Sequence, residues 1–476
     1  NNSSLSHVSG SSQLKYRNSD RPQKVSSECL NQQYLGDLNW DSLIAAFSPH
    51  SGALGALFAE HKQHMGLNNL VNYLNPSLLA TLANKEDNPT YDEAMRSPEK
   101  AGYIAAMEQE VLTLAKMKVF TIVPRPAGIK IITGVWAFKK KRYPDGSVKK
   151  LKARYCARGF EQEKDVDYFE SFAPVCMWIT VRILLVMSIL MGLETKQIDY
   201  TGAFLHAPIS TETYVHMPQG FEMDGMVWKL NRCLYGLVQS PRDFYQYNAK
   251  KLDSIGFKPS ETDLCLFIRD DAIILIYVDD ALVFFRNKEA ADNLFTQMRE
   301  IDLHFEEEDS VAGFLGVHID CREDGSILLS QKGLTERIIE TLNLTSESIK
   351  PLERPASKHL PIDEDGELAH GDFSYPSVVG QINYLQGHTR PDICFAFSQC
   401  ARFLHKPRRS HKLALVELGR YLKGTVKEGL ILRPSRDDTF KMDVYVDASF
   451  AGGWNSELST SPESVKSRTG YIIEVA

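Results

Sequence analysis

The sequence predicts an α+β fold built on a split βαβ unit, and two observations predict it. Ile273-Ile274-Leu275-Ile276-Tyr277-Val278-Asp279-Asp280, followed by Ala281-Leu282-Val283-Phe284-Phe285, sets two apolar runs around a pair of acids. Their β-branched and aromatic residues give the pattern of a β-hairpin with the acids at its turn. Around it the order is a strand ending at Asp199, a helix-rich segment, the hairpin, a helical pattern from Lys288 to Ile301 and a strand near 303–309. That is split βαβ order, and it lets acids about eighty positions apart meet at adjacent strand ends of one sheet.

The remaining elements follow in chain order. Residues 1–36 are rich in Ser, Asn and Gln and are predicted to be disordered linker. Residues 37–90 hold short helical patterns with no assignable chemistry. Ala94, Ile104, Met107, Val111 and Leu114 predict an amphipathic helix within Tyr91 to Lys118. Val135-Trp136-Ala137-Phe138 leads through Pro144-Asp145-Gly146-Ser147, a strong turn signal, to Val148 to Phe160 as a second hairpin. A helix is predicted over 177–191 and mixed strand and helix over 227–257. Short strands are predicted near 314–319 and 326–330, helices over 331–344 and 376–423, and last strands near 428–433, 442–447 and 469–475. Asp363-Glu364-Asp365-Gly366-Glu367 reads as an exposed acidic loop.

Composition bounds the class. A chain of 476 residues exceeds one ordinary core, so two to four domains are expected. Its 43% hydrophobic and 24% charged residues are globular values. A net charge of -7 excludes a uniformly basic nucleic-acid coat, so any polyanion site must be a local patch. Eight cysteines, at 29, 156, 176, 233, 265, 321, 394 and 400, form no C-x-x-C pair, which argues against a zinc ribbon or disulfide scaffold and suits a reducing compartment. The longest apolar run, Trp178 to Leu193, carries Arg182 and reads as a half-buried helix rather than a membrane span. No signal peptide is recognised. The start at Asn1 and the stop at Ala476 within a strand-like run suggest a piece excised from a longer polypeptide.

The candidate chemistry begins with carboxylates. Asp is a common turn former, so the pair Asp279-Asp280 is by itself more often just a turn. Asp199, ending Glu194-Thr195-Lys196-Gln197-Ile198-Asp199 and followed by Tyr200-Thr201-Gly202-Ala203-Phe204-Leu205, offers the third acid. Three clustered carboxylates repel one another without cations, and two Mg²⁺ ions roughly 3.5–4 Å apart can clamp the attacking and leaving oxygens of phosphoryl transfer. Between 139 and 158 lie Lys139, Lys140, Lys141, Arg142, Lys149, Lys150, Lys152, Arg154 and Arg158 against the single acid Asp145. A solvated hairpin reads the same, but phosphoryl transfer needs cations to cradle a triphosphate. Gln219, in Met217-Pro218-Gln219-Gly220-Phe221, is a polar loop residue.

These pieces together resemble the reverse transcriptases of copia-type LTR retrotransposons and, more distantly, retroviral ones. The resemblance runs from about Tyr91 to the end and rests on motifs in the family's order. They are Lys152-Ala153-Arg154 with Arg158-Gly159-Phe160; Phe172-Ala173-Pro174-Val175; Gln197-Ile198-Asp199 with Ala203-Phe204-Leu205; Pro218-Gln219-Gly220-Phe221; Leu234-Tyr235-Gly236-Leu237 with Gln239-Ser240-Pro241-Arg242; Tyr277-Val278-Asp279-Asp280; Phe314-Leu315-Gly316; Thr389-Arg390-Pro391-Asp392-Ile393; and Tyr421-Leu422-Lys423-Gly424-Thr425. Each string is weak, and their joint order is specific.

The resemblance implies a right-hand polymerase: fingers and a palm with a split βαβ, ferredoxin-like core over 119–310, a thumb region over 311–375, a helical connection over 376–430 and an incomplete ribonuclease H-like start over 431–476, after a helical lead-in over 37–118. It implies that Asp199 and Asp279 bind two Mg²⁺ ions (Mn²⁺ as a substitute), that Asp280 supports them and that the Tyr200 carbonyl adds a ligand. Arg154, helped by Lys149, Lys150 and Lys152, would grip the triphosphate; Gln219 would contact the nucleotide sugar; Phe204 would exclude a ribose 2′-hydroxyl; Phe314-Leu315-Gly316 would be the primer grip. Asp447 would be the first carboxylate of the ribonuclease H site, whose later acids fall beyond Ala476, so no ribonuclease H activity is expected of this chain.

The implied activity is RNA-directed DNA polymerisation, a nucleotidyl transfer from dNTPs to a primer 3′-hydroxyl. The implied partners are RNA and DNA template-primer, dNTPs and other pieces of the same polyprotein, without a membrane. The implied location is a cytoplasmic virus-like particle, or the nucleus, and not secretion. The alternative is an inactive retroelement relic that binds nucleic acid or assembles without polymerising. An RNA-copying viral polymerase on the same palm is disfavoured by Phe204.

Overall fold

The computed structural model describes residues 23–25, 87–142, 147–308, 311, 313–356, 359–363, 365–369, 373–434, 442–449 and 468–475. The helical patterns predicted before residue 87 and the Pro144-Asp145-Gly146 turn lie outside them. The chain divides into two compact units, 38–436 and a smaller one pairing 1–37 with 437–476. The smaller unit holds a three-stranded sheet in the order β1-β16-β17, from β1 (Gln23–Val25), β16 (Met442–Ser449) and β17 (Arg468–Val475). Residues 23–25, predicted as disordered linker, are thus a strand: their backbone pairs antiparallel with Val444 to Val446 at the open edge of β16.

The larger unit opens with two helices where the sequence predicted one. The helix α1 (Tyr91–Arg96) begins in a capping box between Thr90 and Glu93. It stops at Ser97, which is extended because Pro98 follows. The chain restarts as α2 (Lys100–Lys116). Next come β2 (Phe120–Pro124), β3 (Gly134–Arg142) and β4 (Val148–Ala157). The predicted basic hairpin is β3 paired antiparallel with β4. Its inner face buries Trp136, Phe138, Ala153 and Tyr155 against Tyr103 and Met107 of α2.

The helix α3 (Trp178–Met191) is buried on most sides and ends at Gly192, whose φ of 63° suits a left-handed C-cap. Asp263 caps its other end, accepting from the Met177 amide at 3.0 Å and the Thr180 hydroxyl at 2.7 Å. Then follow β5 (Glu194–Tyr200), β6 (Tyr214–Val215), β7 (Met226–Leu230), α4 (Ser240–Ser254), β8 (Lys258–Pro259), β9 (Leu266–Ile268), β10 (Ala272–Tyr277), β11 (Asp280–Phe285), α5 (Lys288–Glu300) and β12 (Phe305–Glu307). The main sheet runs β12-β5-β11-β10-β9-β8, antiparallel at each of these joins. Taking β5, α4, β10, β11, α5 and β12 as a βαββαβ unit, the strand order is 4-1-3-2, the predicted split βαβ layout. One face packs Ile198, Tyr200, Ile274, Ile276, Val283 and Phe285 on Phe244 of α4 and on Leu294, Phe295 and Met298 of α5. Strands β10 and β11 are apolar on both faces because both are covered.

Beyond β12, β13 (His318–Cys321), β14 (Ile327–Ser330) and β15 (Leu430–Leu432) form a sheet in that order. Phe314 to Val317, predicted as the start of a strand, is a tight turn with Leu315 and Gly316 both at positive φ. The helices α6 (Lys332–Thr341), α7 (Tyr375–His388), α8 (Cys394–Ala401) and α9 (Arg409–Gly424) share one apolar core. Within it Arg390 is buried, its charge met by Asp392 and by the Thr425 carbonyl.

Candidate active site

The acids meet at one corner of the main sheet. Asp199 and Asp280 are direct Cα partners across β5 and β11. The Tyr200 amide donates to the Asp279 carbonyl at 2.7 Å, which fixes the hairpin turn against the end of β5. Val278 and Asp279 form that two-residue turn between the paired Tyr277 and Asp280. Of the two, only Val278 has positive φ, at 56°. A II′ turn prefers glycine there, so a β-branched residue costs about 1–2 kcal/mol and is kept by its surroundings.

Strand alternation puts Asp199 and Asp280 on the sheet face away from α4 and α5. Glu306, the Cα partner of Asp199 on β12, shares that face. Burial raises the Asp199 pKa, with further contributions from Asp279, Glu306 and Glu308, while Lys152 pulls it down. Asp280 is pushed up to about 7 by burial, then by Asp279 and Asp199.

The hairpin register sorts the basic residues. The pairs Lys139–Lys152 and Lys141–Lys150, together with Arg154 opposite Ala137, put five cations on the outer face of β3 and β4. Lys140 points the other way, to Glu99 at 2.7 Å, and Arg142 pairs with Asp87 at 2.8 Å. Burial and then the neighbouring Arg154 and Lys141 lower the Lys152 pKa, opposed by Glu110. Of the hairpin cations, it is Lys152 that lowers the Asp199 pKa. Lys150 and Arg154 are exposed.

Tyr235 joins the two groups, and sequence reasoning gave it no role. Its ring carries the Arg154 guanidinium at 4.8 Å and meets the Phe204 ring edge-on at 5.5 Å. Burial pushes its hydroxyl up to about 12, and Asp279 adds to the rise. Phe204 is half-buried and packs on the core, its ring 6.0 Å from that of Phe244. Gln219 is exposed, and among the described residues no contact links it to the acids or to Arg154. Its carbonyl accepts from Trp136 Nε1 at 2.9 Å, on the α2 side of the hairpin. Of the candidate primer grip, Phe314 is fully buried, Leu315 half-buried and Gly316 exposed. Asp447 lies exposed on β16 in the smaller unit.

The donor set fits hard divalent cations. It is all carboxylate and carbonyl oxygen, and the acids repel one another enough to shift their ionisation. Among the described residues no three acid, histidine or cysteine side chains already converge as a complete ion cage. A cation here would take one or two carboxylates and complete its shell with water and phosphate oxygens, the usual habit of Mg²⁺.

A βαββαβ sheet with acids at one strand end and a cationic hairpin reaching toward them defines a polymerase-type fold. The chain belongs to the reverse transcriptase (RNA-dependent DNA polymerase) family, whose model matches residues 117–354. It is 33% identical over 402 residues to the retrovirus-related Pol polyprotein from transposon TNT 1-94 of Nicotiana tabacum, covering 80% of this chain and 29% of that one. It is 29% identical over 405 residues to the Pol polyprotein from transposon RE1 of Arabidopsis thaliana, covering 83% and 26%. The chain thus spans less than a third of the length of these curated relatives. A solved structure of the foamy viral protease-reverse transcriptase in complex with dsDNA matches with a TM-score of 0.41 at 16% identity, covering 73% of this chain and 62% of that one. The family assignment rests on the family model.

Proposed function

We propose that the chain is an RNA-directed DNA polymerase, joining deoxynucleotides to a primer 3′-hydroxyl on an RNA or DNA template. In this reading the main sheet with α4 and α5 is the palm, β3 and β4 belong to the fingers, 311–375 to the thumb, 376–430 to the connection and 431–476 to the start of a ribonuclease H-like domain. The observation that carries it is the pairing of Asp199 with Asp280, beside Asp279, within reach of the Lys152 charge.

Asp199, Asp279 and the Tyr200 carbonyl would hold two divalent cations, which when bound supply charge neutralisation and a more acidic primer hydroxyl. Arg154, held flat on Tyr235, grips the triphosphate, since a guanidinium binds phosphate oxygens bidentately. Lys152 sits between that grip and the acids and balances charge as the α-phosphorus is attacked. The primer oxygen gives up its proton, bonds to the α-phosphorus, and pyrophosphate departs. Phe204, braced by Tyr235 and Phe244, is the ring that would exclude a ribose 2′-hydroxyl. Asp280 keeps its place beside the metal-binding pair through the strand register. Sequence comes from base pairing, so the protein contacts strand backbones with little sequence preference.

Primed-template extension tests this with RNA and DNA templates, dNTPs or rNTPs, and Mg²⁺. Extension with dNTPs on both templates is expected. Salt-sensitive template-primer binding without any incorporation would establish the non-polymerising alternative instead.

A further inference from the structure

The sheet face that carries Asp199 and Asp280 also carries Gln197, two residues earlier on β5. Its Cα partner on β11 is Leu282, which leaves Asp280 one diagonal step away and within reach of a long side chain. Gln197 is 6% exposed, an unusual place for an amide when an apolar residue of the same size would avoid the desolvation cost. The Gln197 Nε2 donates to the Gly313 carbonyl at 3.1 Å, and its Oε1 is buried without a hydrogen-bond partner among the described residues.

Gly313 leads into the tight turn closed by reciprocal hydrogen bonds between Phe314 and Val317, each 3.0 Å. Leu315 sits there at φ 54° and Gly316 at 72°. A leucine in the left-handed region has to be held by its surroundings. The second hold comes from α7: the Tyr384 hydroxyl donates to the Leu315 carbonyl at 2.6 Å. The end of that helix is fastened in turn by Arg182 of α3, which donates to the Gly387 and His388 carbonyls at 2.7 and 2.9 Å.

We propose that Gln197 is a positioning residue that ties the acid-bearing end of β5 to the 313–316 turn, and that Tyr384 fixes the far side of the same turn, so that the primer strand and the acids are held in one register. The inference rests on the polymerase reading and on the primer-grip role that the family resemblance implies for residues 314–316. Gln197→Met keeps length and volume and removes the hydrogen bond to Gly313. Tyr384→Phe removes one hydroxyl.

In single-turnover incorporation each variant lowers the rate at saturating dNTP about tenfold and changes the dNTP KM less than twofold, because the damage is on the primer side. The double variant loses no more than the worse single one, since both holds serve one turn. Losses that multiply, or an unchanged rate in Gln197→Met, overturn the proposal. Amide hydrogen exchange gives a readout independent of activity. Exchange at Leu315 to Val317 is expected to rise at least tenfold in Gln197→Met while α9 exchanges as in the parent; unchanged exchange at the turn overturns the tie. A parent that incorporates no dNTP sinks the polymerase reading, and exchange then decides the tie alone. If Gln197→Met does not fold, Tyr384→Phe carries the same rate and exchange comparison.

Discussion

Replacing Asp280 by Asn should stabilise the metal-free protein, and only at high pH. The Asp280 pKa rises from 3.8 to about 7 on folding because the carboxylate is buried beside Asp279 and Asp199. The folded state therefore holds a proton that the unfolded chain releases at lower pH. Its stabilising contribution is complete below about pH 4, is lost as pH rises from about 4 to 7, and stays lost above. Taken in full the shift corresponds to about 4 kcal/mol. Solvent screening of a part-exposed group reduces this to about 1–2 kcal/mol, or a rise of about 2–6 °C in Tm. Thermal melts in chelator at pH 4 and pH 8 measure it. The variant should melt with the parent at pH 4 and above it at pH 8. An equal offset at both pH values, or a variant less stable at pH 8, would refute the assignment of Asp280 as the strained acid.

Phe204→Val should raise ribonucleotide incorporation relative to deoxynucleotide at least tenfold in primer extension; an unchanged ratio removes Phe204 as the gate. Arg154→Ala should raise the dNTP KM about 10- to 100-fold through loss of a charge-assisted phosphate contact, read from steady-state kinetics. Gly236→Ala should destabilise by about 2–4 kcal/mol in denaturant unfolding. Gly236 has φ 90°, and a Cβ there would lie 2.1 Å from the Ala157 carbonyl oxygen.

The sheet was legible because its signals are local. The apolar runs on both sides of Asp279 and Asp280 have no other good home than a covered hairpin, and the helix between Asn287 and Ile301 carries both its cap and its apolar spacing. The split of the predicted Tyr91 to Lys118 helix was also legible in Pro98, whose effect on Ser97 outweighs the continuing apolar spacing. Residues 314–316 misled because Phe314-Leu315 reads as strand, whereas Leu315 sits at positive φ between hydrogen bonds from Gln197 to Gly313 and from Tyr384 to Leu315. At the site, strand alternation alone marks Gln197 as sharing a face with Asp199. Tyr235 carries no such signal: its importance comes from packing that brings β4, Phe204 and the Asp279 turn together across about 125 positions of sequence. Gln219 shows the converse: a motif residue whose carbonyl is held by Trp136, with no contact to the acids among the described residues.

The most direct measurement is single-turnover incorporation of one dNTP on a primed RNA template with Mg²⁺, comparing the parent with Asp199→Asn, Asp279→Asn and the double variant. If the two carboxylates act as one unit, each single change costs at least a thousandfold and the double change costs little more. Incorporation within tenfold of the parent by either single variant would contradict the account.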